Sequence, residues 1–258
     1  MSEEGSLLSE KRDGVLFLTI NRPSVLNALD PATHLKLHET FNDFAKDSSL
    51  RLTVIRGAGE KAFCVGSDLK VRTEMGGDDM PPTGFGGLAE RFNLNKPVIA
   101  AVNGHAIGGG LEMVLACDMA IAVSTAKIGL PEAKIGLAAA GGLHRLARQL
   151  PMKLAMEVAL TGQLFTAEKA QSLGLINSVV EPEDFDKAVS ELVATLLNAA
   201  PLSHQATKEM MQQGLGATTL EEAFADTYPA YERMLASEDA KEGSEAFLEK
   251  RSPVWKGK

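Results

Sequence analysis

Ala101-Val102-Asn103-Gly104-His105-Ala106-Ile107-Gly108-Gly109-Gly110-Leu111-Glu112 is the stretch on which the reading of the fold turns. It continues the apolar run Pro97 to Val102, which reads as a strand, and leads through glycines into Gly110 to Ala116, which reads as a short helix. Asp118 to Val123 (DMAIAV) then reads as a strand again. Strand, glycine turn, helix and strand in succession make an α/β domain.

The same pattern opens the chain. Gly14 to Ile20 (GVLFLTI) and Leu52 to Arg56 (LTVIR) are β-branched runs bounded by turn residues. Between them Asp30 followed by Pro31 is a helix-start signature, with Leu35, Leu37, Phe41 and Phe44 at helical spacing behind it. Residues 71–90, rich in Gly, Pro and acid and without periodicity, read as a long functional loop expected to be mobile. From Met152 onward, apart from a strand at Ile176 to Val180, helices are expected over 152–160, 166–173, 184–199, 201–214, 219–236 and 239–250. The expected division is a core over 1–197 and a helical region over 198–258, whose apolar residues need a core or a neighbouring subunit to cover them.

A net charge of −8 over 258 residues disfavours non-specific binding to nucleic acid or an anionic membrane, so a phosphorylated ligand needs a local basic patch. Two cysteines, Cys64 and Cys117, offer neither a zinc knuckle nor a disulfide framework, and a reducing compartment is expected. The polar start MSEEGSLLSEKRDG lacks the pattern of a secretory signal. No apolar run reaches the ~18 residues of a membrane span. A soluble, cytoplasmic protein is the expectation.

The glycines of Gly104 to Glu112 either bring backbone N–H groups against a ligand, as in an oxyanion hole, or merely permit tight packing of strand on helix. A second glycine turn, Phe63-Cys64-Val65-Gly66-Ser67-Asp68-Leu69-Lys70, is open to the same use, or to a turn capped by Ser67 and Asp68. Glu112, two residues after Gly110, and Glu132, in Gly129-Leu130-Pro131-Glu132, stand near such turns. Paired carboxylates divide acid and base work when their surroundings separate their pKa values, although a glutamate taken alone is most often solvated or a cap.

Four ordered motifs settle more than any one. Asn21-Arg22-Pro23 with Asn27-Ala28-Leu29, Phe63 to Lys70, Ala101 to Glu112, and Pro131-Glu132 with Gly141-Gly142 resemble the motifs of the enoyl-CoA hydratase/isomerase (crotonase) superfamily. The likeness continues through Leu160-Thr161-Gly162, Ala167 to Gly174, and Glu242-Gly243 to Lys250-Arg251. It implies a spiral of ββα units, a helical C-terminal region used in trimerisation, and a homotrimer or dimer of trimers. It implies an acyl-CoA thioester substrate, with no metal and no cofactor beyond the coenzyme A that the substrate carries. By resemblance, the backbone N–H groups of Ser67 and Gly109 form the oxyanion hole, and Glu112 and Glu132 are catalytic. Leu26, Ser67, Asp68, Leu69, Lys70, Gly108, Phe247 and Lys250 lie near the substrate, Phe247 and Lys250 across a subunit contact. Ser67 stands where the family commonly has Ala, and the segment Ile135 to Leu146, one residue shorter than the frequent form, is expected to shape the acyl pocket.

Hydration of a 2-enoyl-CoA is the first reading of the reaction. Its rivals are a Δ3,Δ2-enoyl-CoA isomerase, which needs one base, an acyl-CoA hydrolase using Ser67 beside His105, and an RNA-binding homologue. The segment Gly84-Phe85-Gly86-Gly87-Leu88-Ala89 fits a dinucleotide fingerprint but follows no strand. His34 and His38, spaced like metal ligands, read instead as an exposed helix face, and His105 and His144 as structural.

Overall fold

The computed structural model describes residues 5–75 and 79–258. The chain forms two compact units, Met1–Phe92 with Val98–Val189, and Asn93–Pro97 with Ser190–Lys258.

The first unit is built on two sheets. β1 (Leu7–Arg12), β2 (Val15–Ile20), β3 (Leu52–Gly57), β5 (Val98–Val102), β7 (Met119–Val123) and β10 (Ser178–Val180) form one, in that order. β4 (Ala62–Cys64), β6 (His105–Ile107), β8 (Lys127–Gly129) and β9 (Phe165–Thr166) form the other. Every neighbouring pair is parallel except β1 with β2 and β8 with β9. Each of β3, β5 and β7 runs directly into a short strand of the second sheet and then into helical chain: α2 (Leu69–Met75), α3 (Gly109–Ala116), and a 3-10 turn at Pro131–Ile135 leading to α4 (Ala140–Gln149), after which come α5 (Met152–Thr161) and α6 (Ala167–Ser172). These are the repeated ββα units. Parallel strands covered on both faces are apolar throughout, and β5, VIAAV, is buried at every position.

α1 (Pro31–Lys46) starts as its sequence dictates, with Asp30 accepting from the Thr33 N–H at 2.8 Å and Pro31 in the first turn. Its inner face is Thr33, His34, Leu37, Phe41 and Phe44, and Leu35, expected inward, faces solvent. The expectation of an exposed histidine face is overturned. His34 is buried, its Nδ1 accepting from the Gly86 N–H at 3.0 Å and its ring edge-on to Phe85, while His38 is hydrogen-bonded to Thr83 and Asn42. Arg91 completes the seam, donating to the Gly87 and His38 carbonyls and to Asn42. Much of the expected loop is therefore ordered chain. Leu69–Met75 is helix, residues 85–89 are buried, and residues 76–78 lie outside the described residues.

The second unit is helical, with part of α7 (Phe185–Leu197), α8 (Pro201–Gly214), α9 (Leu220–Ala225), α10 (Pro229–Leu235) and α11 (Glu238–Glu249). The single helix expected over 219–236 is two, because Pro229 holds Tyr228 out of helical geometry and has no N–H to continue the ladder. Buried Glu209 joins the pieces, accepting from the Ala230 N–H at 2.7 Å and from Asn95 at 3.1 Å. Among the described residues no helix is long and apolar enough to cross a membrane.

Candidate active site

The strands of the small sheet position the chemistry. β4, β6 and β8 are adjacent and parallel, so their C-terminal ends lie side by side, where open α/β sheets present ligand sites. Ser67 follows β4 by three residues, Gly108 to Glu112 follow β6, and Glu132 follows β8 by three. Ser67, Gly108, Gly109, Glu112 and Glu132 line one cavity of about 610 Å³, with Leu69, Arg72, Met80, Phe85, Glu90, Ile135, Leu137 and Ala138 to Gly141 among the other walls.

The turns are held from behind. The Arg22 guanidinium bridges Asp30 and Asp68, each at 3.0 Å, and donates to the Ala28 carbonyl. Leu29 bonds to both sides of the Ser67 turn, its N–H to the Gly66 carbonyl and its carbonyl to the Asp68 N–H, each at 2.8 Å. The alternation of an extended chain then directs the Ser67 N–H away from Leu29. Asp68, expected near the substrate, is engaged in this brace. Asn27, fully buried with φ 57°, donates to the Ala58 and Ala62 carbonyls. Asn103 accepts from the Gly57 N–H at 2.9 Å and donates to the Gly57 and Gly59 carbonyls. Asn27 thus ties the chain after β2 to β4, and Asn103 ties the end of β5 to the turn that leads from β3 into β4.

The glycines divide the two uses that sequence left open. At Gly110 a Cβ would lie 1.9 Å from the Cys64 carbonyl oxygen, so this glycine serves packing of α3 on β4. Gly108, at φ 59°, faces Glu132, whose Oε1 would lie 2.8 Å from a Cβ there. Gly109 supplies the first N–H of α3, which has no carbonyl four residues behind it to accept. The two turns meet, since a Cβ on Gly66 would stand 3.3 Å from the Gly109 nitrogen.

Glu112 is buried in the first turn of α3 and its Oε1 accepts from the Gly142 N–H at 3.1 Å. The sequence suggests that the helix dipole favours its carboxylate. The opposite holds. Burial, reinforced by the charge of Glu132, pushes its pKa up to about 7, against the pull of the Gly142 and Gly141 N–H groups. Burial also raises Glu132, whose Oε2 is enclosed without a hydrogen-bond partner among the described residues. His105 Nδ1 accepts from the Lys127 N–H at 3.1 Å, an anchor of β6 to β8, as a structural histidine should be.

Of the remaining expected residues, Leu69 lines the cavity, while Leu26 (φ 54°) and Lys70 are exposed on the first unit. Phe247 and Lys250 are exposed on the second. The expected contribution of Ile135 to Leu146 is present in the wall from Ile135 to Gly141. Sequence reading missed Phe85, Glu90, Met80 and Arg72, all from the segment taken as a loop. One signal was available: His34, His38 and Asn42 form a polar stripe at four-residue spacing on α1, and a helix face of that kind marks a seam.

Comparison with known proteins agrees with this geometry. A family model described as enoyl-CoA hydratase/isomerase matches residues 10–258. Carnitinyl-CoA dehydratases from Salmonella typhi and Escherichia coli K12 are 41% and 42% identical to the chain, each alignment covering 100% of both proteins. The crystal structure of an enoyl-CoA hydratase from Mycobacterium marinum superposes with a TM-score of 0.91 at 38% identity, over 99% of this chain and 100% of that one. An enoyl-CoA hydratase from Bacillus anthracis gives 0.89 at 31%, over 98% and 100%. With its ββα spiral, its paired sheets and this match along the chain, the protein belongs to the enoyl-CoA hydratase/isomerase family.

Proposed function

We propose that the protein is a hydro-lyase that reversibly adds water to a 2-enoyl-CoA to give a 3-hydroxyacyl-CoA. The observation that carries this reading is the pair Glu112 and Glu132 in one cavity, both raised by burial. Burial and mutual repulsion disfavour the doubly ionised state, so the singly protonated pair persists to higher pH than two exposed carboxyls would allow. Hydration needs that state. With the thioester oxygen at the Ser67 and Gly109 N–H groups, electron density drains from Cβ. The pair shares that proton, and the reaction proceeds from the arrangement that places it on Glu132: Glu112 takes a proton from water as the oxygen bonds to Cβ, the Cα=Cβ π pair passes into an enolate, and Glu132 delivers its proton to Cα. The scheme calls on no metal or redox group, coenzyme A being part of the substrate. Leu26 and Lys70, with Phe247 and Lys250 from a neighbouring copy, are the proposed contacts of the coenzyme A moiety. Exposed Met211, Leu215, Leu220, Phe224, Phe247 and Leu248 in the helical unit are apolar surface for assembly into a trimer or dimer of trimers.

The relatives named carnitinyl-CoA dehydratase support elimination of water from a CoA thioester as the reverse reaction, and a carnitinyl thioester belongs in the substrate panel with crotonyl-, octenoyl- and 3-methylcrotonyl-CoA. The test is paired. Glu112→Gln and Glu132→Gln should each lower crotonyl-CoA hydration at least ~10²-fold, with circular dichroism and coenzyme A affinity preserved. An isomerase would instead convert a 3-enoyl-CoA quickly, hydrate poorly, and lose activity in one variant only. Hydration surviving in both folded variants would sink the scheme.

A further inference from the structure

Three carboxylates line the cavity and the reaction scheme uses two. The third, Glu90, is held in place by its surroundings. Its N–H donates to the Thr83 carbonyl at 2.9 Å, and its side chain folds back over Gly84, where a Cβ would stand 2.9 Å from its Cγ and 3.0 Å from its Oε1. Glu112 and Glu132 are seated in the same manner, with Oε2 of Glu112 2.8 Å from a Cβ at Gly141 and Oε1 of Glu132 2.8 Å from one at Gly108. Each carboxylate occupies space that a glycine keeps open. The segment carrying Glu90 is fixed as well, through His34 to Gly86 and Arg91 to the Gly87 carbonyl.

Glu90 differs from the other two in being exposed, and like them it forms no ion pair among the described residues. It stands close enough to Glu112 for its charge to be felt there. The cavity that Glu90 lines also has apolar and aromatic walls, among them Phe85, Met80, Ile135 and Leu137. Two cations also reach the wall, Arg72 and Lys134, and the stem of Lys134 runs along Gly162, 3.2 Å from a Cβ there. A quaternary ammonium group has no N–H to satisfy. It needs a counter-charge and apolar or aromatic contact for its methyl groups, and Glu90 within this wall offers both.

Resting on the reading of this cavity as the acyl site of a hydro-lyase, we propose that Glu90 is a specificity-determining carboxylate. It favours an acyl chain bearing a quaternary ammonium group over a neutral chain of the same shape. The test compares 4-trimethylammoniobut-2-enoyl-CoA with its carbon isostere, 5,5-dimethylhex-2-enoyl-CoA, and includes crotonyl-CoA. Full-length wild type and Glu90→Gln are assayed, and the readout is the ratio of kcat/KM for cation over isostere, in which any effect on the shared chemistry cancels. The expected ratio is at least about ten-fold in the wild type, falling toward one in the variant, and falling in the wild type as salt is raised. A wild-type ratio near one, or the same ratio in both proteins, overturns the inference, while hydration of crotonyl-CoA leaves the proposed reaction standing. Failure to hydrate any of the three removes that reaction. Calorimetric Kd values for the two saturated thioesters then decide the inference by themselves, and a Kd ratio near one overturns it.

Discussion

In the six-stranded sheet β1, β2, β3, β5 and β7 are each five or six residues long, whereas no strand of the four-stranded sheet exceeds three. The larger sheet is held by its ladders and by a continuous apolar interior in which Leu18, Ile20, Ile55, Ile99 and Val102 are fully enclosed. The smaller one has too few ladder bonds to fix its register alone. It is held from outside by Asn27, which bonds Ala62 of β4, by Asn103 at the turn that leads from β3 into β4, and by glycines that let backbone meet backbone. It is also the sheet whose strand ends carry Ser67, Gly109, Glu112 and Glu132. The larger sheet is tied down by buried area, which tolerates small changes of shape. The smaller is tied down by particular atoms, and the chemistry sits where tolerance is least.

That contrast breaks most easily at Gly110. An alanine there would place a methyl group 1.9 Å from the Cys64 carbonyl oxygen, and that oxygen is backbone, so α3 must move. A shift of about 1 Å in a catalytic group costs on the order of 10²-fold in rate. Gly110→Ala should therefore lose at least ~10²-fold of hydration activity. Ile99→Val in β5 should cost ~0.5–1.5 kcal/mol of stability by urea titration and little activity. Equal activity losses in the two variants would show that the sheets are not different in kind.

The next comparison is between two buried polar side chains. Asn103 satisfies three backbone groups at the corner between the sheets, and Asn103→Ala would leave the buried Gly57 N–H without its acceptor, a loss of about 2–3 kcal/mol. Thr53 in β3 is enclosed in the large sheet with its hydroxyl unpartnered, so Thr53→Val should be neutral or stabilising by up to ~1 kcal/mol. Urea midpoints of both variants check the sign of each.

Legibility followed the same division. Five strands of the large sheet announce themselves as apolar runs, and β5 with α3 was readable to within one residue at either end. β1 was not, because it is an edge strand whose side chains nearly all face water; the Asp13-Gly14 turn, both residues at positive φ, was its one signal. β4, β6, β8 and β9 are too short to show periodicity. The glutamates they deliver were found through the spacing of motifs, since neither local sequence nor composition distinguishes Glu112 from a solvated residue. Burial was invisible as well. The helix-start position of Glu112 points to a favoured carboxylate, and only the enclosing wall and Glu132 reveal the reverse.

The smallest expected effect concerns that reversal. β2, β3, β5, β7 and β10 contain no acidic residue, so of the two sheets it is the small one, with its turns, that brings proton linkage from a buried carboxyl. Glu112 has a pKa of about 7 in the folded protein against an ordinary 4.5. Between those values the folded state keeps a proton that the unfolded chain has released, so stability falls as pH rises through this window. Outside it the group contributes no slope. Glu112→Gln removes the titration, so the Tm of the variant relative to wild type should climb between pH 5 and pH 8. With ~2–4 °C per kcal/mol for a chain of this size, a gain of at least about 3 °C is expected. Glu132 shares the repulsion, so in Glu132→Gln the titration of Glu112 should move down and the slope in wild-type-like stability should shrink. An unchanged Tm difference across the pH range would mean that Glu112 ionises as an exposed carboxyl does. The small sheet would then hold no proton for the chemistry, and the asymmetry between the sheets would be one of shape alone.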